Sequence, residues 1–157
     1  MSAELKEEIA GRNPRTVEEA RAFVKHVESL FMPWNVEGIV AGFTDDCVVR
    51  FSDMPEFRGK AELTRFLRAR SARQKGYRLR KELRAMMGDV LANYWEGDWE
   101  DAQTGAKMTG RGVEIWQLRG GKIALLGRGL QRSRGWQDPR RRDPLGEVTL
   151  RRGLRRL

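Results

Sequence analysis

The chain has 157 residues, with 31 Lys or Arg against 22 Asp or Glu and a net charge of +9. That length suits one domain with a core of its own, without disulfides or a structural metal. A single cysteine, Cys47, excludes an internal disulfide, and no apolar run approaches the roughly 18 residues of a membrane span. The charged start, MSAELKEEIAGRNPR, lacks the apolar segment of a signal peptide, so a cytoplasmic protein is expected.

Thr16 and Glu19 have the spacing of a capping box. Val17, Ala20, Phe23, Val24, Val27, Leu30 and Phe31 then recur at helical spacing, and Pro33 is expected to close this helix. Asn35 is placed to cap a short second helix over 36–43. CVVRF, at 47–51, reads as a short strand in which Cys47 is a small buried thiol. SDMPEFRG reads as a loop. A third helix is expected over 60–75, with Ala61, Leu63, Phe66 and Leu67 inward and Gly76 as its stop.

Past Gly76 the period changes to two. YRLRKELRAMM puts Tyr77, Leu79, Leu83, Ala85 and Met87 on one face with Lys81, and its arginines on the other. LANYWEGDW puts Leu91, Trp95 and Trp99 on one face with Asn93. DAQTGA is a turn, and two further strands, 107–118 and 122–130, are joined by RGG at 119–121. Three helices followed by a four-stranded antiparallel meander, with one short strand between helices two and three, make an α+β fold. The helices cover one face of a curved sheet. With Ala85 set opposite Asn93, Arg80 faces Asp98 and Arg78 faces Glu100, so the outer charges neutralise across the ladder.

The basicity is local. Residues 58–84 carry net +9 and residues 132–157 net +6, which leaves the remainder acidic. The domain is expected over 1–132, followed by a basic arm over 133–157 that is disordered or loosely docked, with Trp136 packing back on the body.

EGIVAGFTDDCVVRF, FRGKAELTRFL, YRLRKEL and VEIWQLRGGKI, in that order and spacing, resemble the nuclear transport factor 2-like superfamily in its SnoaL-like and ketosteroid-isomerase-like branch. The likeness covers about residues 17 to 132 and extends to uncharacterised bacterial SnoaL-like proteins. It implies a cystatin-like cone of curved sheet plugged by helices, an α+β barrel with a pocket at its open end, dimeric through the sheet. Activities in the superfamily include steroid isomerisation, polyketide cyclisation, dehydration and epoxide hydrolysis. The steroid isomerases end their first strand on a carboxylate base, and Phe51 stands there in this chain. Their oxyanion tyrosine falls near Val27. Only their late-strand acid is kept in type, at Glu114. The Arg that limonene epoxide hydrolases need falls on Gly112.

Glu114 is therefore the acid that any proton chemistry would use. It lies beside Trp116 on an inward face, where desolvation pushes a carboxyl upward unless a partner offsets it. Asn93 is expected opposite it, Arg128 two residues along from its cross-strand neighbour Leu126, and Lys81 on the same face. Pairing with Arg128 would keep the acid ionised as a base; Asn93 alone would leave it protonated as a donor. Trp34 and Trp95 are expected in the pocket with Phe51 and Trp116, while Trp99 reads as core. His26 borders the apolar face of helix one and reads first as a packing residue, second as a pocket residue. Asp53 sits in a loop that could rim the pocket. Asp45 and Asp46 read as turn residues. With one histidine there is no metal cluster, and no cofactor is expected.

Three readings follow. The first is a cyclase, isomerase, dehydratase or hydrolase acting on a small apolar molecule through Glu114 with Arg128 or Asn93. The second is a ligand-binding or structural dimer of the same fold without chemistry. The third, less favoured, is a binder of nucleic acid or an acidic partner through the basic arm.

Overall fold

The computed structural model describes residues 11–52 and 54–134. Asp53, Trp136 and the basic arm from residue 135 onward lie outside the described residues.

Helix α1 spans Val17–Ser29. Thr16 caps it, its Oγ1 accepting from the Glu19 amide at 3.1 Å. The Glu19 carboxylate reaches back to the Arg15 amide at 2.7 Å and pairs with Arg12. This helix stops at Ser29, ahead of Pro33, and the chain turns through a Phe31–Trp34 bridge containing a cis Met32–Pro33 bond. Asn35 caps α2, Val36–Ala41, by accepting from the Gly38 amide at 2.8 Å.

β1, Phe43–Phe51, is longer than the run CVVRF. Its register with the last strand shifts between Phe43 and Val48, so Asp45 and Asp46 sit in an irregular stretch of strand and not in a turn. Both acids are exposed and paired, Asp45 with Lys60 and Asp46 with Arg119. The expected loop after β1 holds a two-residue strand, β2, Phe57–Arg58. Helix α3, Gly59–Arg73, ends two residues before the expected last residue, Lys75. It buries Leu63 and Leu67, while Ala61 is exposed.

The meander is β3, Gln74–Met87; β4, Val90–Asp101; β5, Lys107–Arg119; and β6, Lys122–Arg134. Gly76 takes a positive φ of 63° inside β3, where the register with β4 shifts, so it marks an irregularity in a strand and not a helix end. The sheet order is β2-β1-β6-β5-β4-β3. All neighbours are antiparallel except β1 and β6, which run parallel because α3 and the meander intervene between them.

Two expectations about β3 are corrected. Leu83, not Ala85, lies opposite Asn93, so Arg78 faces Asp98 and Arg80 faces Glu96, each at 2.8 Å. A slip of two residues keeps every side chain on its face and only exchanges partners. Glu100 is instead taken by Lys107 at 2.6 Å and Lys75 at 3.6 Å. A second shift between Leu83 and Ala85 reverses the alternation, so Met86 packs on the core while Ala85 and Met87 are exposed.

The core lies between α1, α3 and the concave face of the sheet, around Val24, Phe43, Leu67, Leu91, Trp95 and Trp116. Gly110 shapes it. A Cβ there would lie 3.1 Å from Trp95 and 3.2 Å from Trp99, so any other residue would have to push the two indoles aside by a few tenths of an ångström.

Candidate functional site

Period-two alternation brings Lys81 of β3, Asn93 of β4, Glu114 of β5 and Arg128 of β6 onto the concave face, all buried. Glu114 lies opposite Asn93 on one side and directly opposite Arg128 on the other. Leu126, the neighbour expected for Glu114, faces Trp116 instead.

Glu114 is 1 % exposed and fully engaged. Its Oε2 accepts from Lys81 Nζ at 2.5 Å and from Trp116 Nε1 at 3.0 Å, and its Oε1 lies 3.3 Å from Arg128 Nη1. Burial pushes this carboxyl up, but the Lys81 ammonium and the Arg128 guanidinium outweigh it and hold the group below its usual range. It is an ionised acceptor. Burial pulls Lys81 down to about 8, with the Glu114 charge opposing and the Arg128 charge assisting. Asn93 was a candidate partner of the acid, yet neither its Oδ1 nor its Nδ2 meets a hydrogen-bond partner.

A cavity of about 300 Å³ opens beside this cluster, between α3, the end of β1 and strands β4 to β6. Phe51, Met54, Phe66, Trp95, Trp99 and Met108 form its apolar wall, and Arg70, Arg73, Gln74, Asp101 and Arg128 its polar one. Arg128 belongs to both the cluster and the cavity. Its guanidinium carbon stacks 3.6 Å from the centre of the Trp95 ring and 4.6 Å from that of Phe51. Glu114, Lys81, Asn93 and Trp116 lie behind it and do not line the cavity.

The expected pocket residues thus divide. Phe51, Trp95 and Arg128 line the cavity, and Trp99, expected as core, lines it too. Trp34 is half-buried, stacked on Tyr77 at 5.4 Å, and does not line the cavity, although the Arg70 guanidinium, which does, lies 5.9 Å from its ring. His26 is exposed on α1, away from both cavity and cluster. Arg70 is the main residue that sequence reasoning passed over. It follows Phe66 by four positions and Leu67 by three, so helical spacing alone places it on the inward face.

Arg70 lies among aromatic rings, 5.0 Å from Phe51 and 5.6 Å from Phe66. Burial, and then the charge of Arg128, lower it to about 10, so it stays a cation at neutral pH. Arg73 and Asp101 pair at 2.9 Å, and Asp101 also accepts from the Gln103 and Thr104 amides. Among the described residues no group of three or more His, Cys, Asp or Glu could hold a metal ion, and no helix is long and apolar enough to cross a membrane.

Three helices against the concave face of a curved six-stranded sheet, with a cavity under α3, are the architecture of NTF2-like proteins. Residues 13–127 match the family described as a protein of unknown function, DUF1348, and the chain belongs to that family. Solved structures share the fold at low identity. SalBIII, an epoxide hydrolase/cyclase-like enzyme in pyran ring formation in the polyether salinomycin, aligns with a TM-score of 0.64 and 16% identity, over 73% of this chain and 93% of that one. TerC, co-crystallised with polyporic acid, aligns at 0.61 and 19% identity, over 70% and 89%. An NTF2-like protein of unknown function from Exiguobacterium sp. 255-15 aligns at 0.57 and 16% identity, over 69% and 94%. No curated protein is significantly similar in sequence.

Proposed function

We propose that this protein is a small-molecule-binding member of the SnoaL-like branch, and that its ligand sits in the cavity under α3. The observation that carries this reading is the cavity itself. Its volume of about 300 Å³ lies at the lower end of small-molecule sites, and aromatic and methionine side chains surround a few polar groups. The ligand therefore has a small, mostly apolar body. The neighbours SalBIII and TerC, named for a cyclase-like enzyme and for a bound acid, are in keeping with this use of the fold.

A cyclase- or isomerase-type reaction is the second reading, and the Lys81–Glu114–Arg128 cluster favours it. In that reading Arg128 is the group that meets the substrate and steadies negative charge on an oxygen. Glu114 then acts as the positioning residue behind it, with Asn93 beside it on the neighbouring strand. Glu114 is closed off from the cavity and held by Lys81, Trp116 and Arg128, so binding without chemistry accords better with the geometry.

Ala69 lines the cavity from the exposed side of α3, so a bulky residue there fills the space without disturbing the core. Ligand-observed NMR with a library of small aromatic compounds should detect saturable binding to the natural chain and none to Ala69→Trp. Binding that survives Ala69→Trp places the ligand elsewhere.

We further propose a homodimer formed through the convex face of the sheet, in the cytoplasm. Val113 and Ile115 are 51% and 43% exposed on β5 and lie opposite Gly129 and Gly127 of β6. They make a smooth apolar strip that a second copy can cover. The double substitution Val113→Lys with Ile115→Glu should turn a dimer into a monomer in light scattering; an unchanged mass would remove that face from the interface. The buried free thiol of Cys47 accords with a reducing compartment.

A further inference from the structure

We propose that the cavity selects an anion: a small carboxylic acid with an apolar body, its carboxylate held between Arg70 and Arg128. The proposal rests on the reading of this cavity as a ligand site and names the class of ligand.

The charges around the site do not balance. Arg70 comes from α3, Arg128 from β6 and Lys81 from β3, and Glu114 of β5 is the one acid among them. Asp101 of β4, the other acid at the cavity, is taken by Arg73 and by two amides of its own turn. Three cations thus share one carboxylate in a region of low dielectric, where an unpaired charge is unfavourable.

Of the two cavity arginines, Arg128 keeps hydrogen-bonding capacity in reserve, and Arg70 holds only neutral partners, Gln74 and Tyr77. Arg128 turns Nη1 toward Glu114, while its Nε and Nη2 have no partner, although its side chain is only 5% exposed. Those two nitrogens form one edge of the guanidinium, the flat two-donor fork that matches a carboxylate. Arg70 has no carboxylate within ion-pair distance among the described residues, and its Nη2 donates to the neutral Gln74 Oε1 at 3.2 Å. Both guanidiniums flank the same ring, at 5.0 Å and 4.6 Å from the centre of Phe51. Both also line the same cavity, and the proposed anion lies between them. The rest of the ligand would lie against Phe66, Met108 and the flat indole of Trp99, which fit a hydrocarbon or aromatic body.

The test compares phenylacetate and 3-phenylpropionate with their uncharged amides, titrated into the full chain at constant ionic strength and pH 7. Intrinsic fluorescence reports binding, since Trp95 and Trp99 line the cavity. The acids should bind at least about tenfold more tightly than the amides, and Arg70→Gln should remove most of that margin while leaving the amides unchanged. Arg70 is the residue to change, because its neutral partners survive the substitution, whereas Arg128→Gln breaks a buried ion cluster. Equal affinity for acid and amide, or an equal loss of both in Arg70→Gln, would overturn the anion proposal and leave the pocket standing. Saturable binding by neither class would overturn both.

Discussion

Arg80 and Lys81 are consecutive on β3, yet their ion pairs differ in kind. Arg80 points out from the convex face, where it meets Glu96 at 2.8 Å and both side chains are about half exposed, 55% and 44%. Lys81 points in, where it meets Glu114 at 2.5 Å and both are almost closed off, 3% and 2%. The same sheet thus carries one row of charges that water screens and another that the protein alone must balance. Outside, partners exchange at little expense, and a register two residues different would have served as well. Inside, each charge has been taken out of water and depends on the specific residue opposite it.

The largest effect is expected from Glu114→Gln. It leaves Lys81 and Arg128 buried without a counter-charge and should lower stability by about 3–5 kcal/mol in urea denaturation. A loss below about 1 kcal/mol would mean that the inner row is no different from the outer one. Lys81→Met should be milder, because Glu114 keeps Arg128 and the Trp116 donor.

Lys81 also gives the inner row a pH signature. Its folded value of about 8 lies below the ordinary 10.5, so between those pH values the unfolded chain holds a proton that the folded one has released. Stability should therefore rise, relative to Lys81→Met, as pH increases from about 8 to about 10.5. A flat difference across that window would show that Lys81 is not depressed. The smallest effect belongs to the outer row. Arg80→Ala should change stability by less than about 1 kcal/mol, and added salt should shrink even that. A larger, salt-resistant loss would erase the contrast between the faces.

Much of the fold was legible in the residues. Helical spacing in α1 and α3 and alternation in β3 to β5 mark which side chains share a face, because both periods follow from local backbone geometry. What was not legible were the irregularities. The shift at Leu83/Ala85 exposes Ala85 and Met87, which plain alternation would bury. Nothing in RAMM announces it, since a bulge is decided by how two strands fit. The extra length of β1 was hidden for a similar reason, as Asp45 and Asp46 read as turn residues until α3 supplies Lys60 and the β5 end supplies Arg119. At the site, Glu114 was visible as an acid in an apolar strand. Arg70 was visible as well, four positions past Phe66, but counted only as one more base in a basic segment.

By itself, then, the sequence determined the class of fold and the inward placement of Lys81, Asn93, Trp95 and Glu114. Which of these meet a ligand was decided only by tertiary structure. Cross-strand register set Glu114 against Arg128, so the acid is spent on internal pairing. The docking of α3 on β1 then brought Arg70 beside Phe51. Partner choice among buried charges depends on the few ångströms that separate strands and helices, and no spacing along one chain segment encodes that distance.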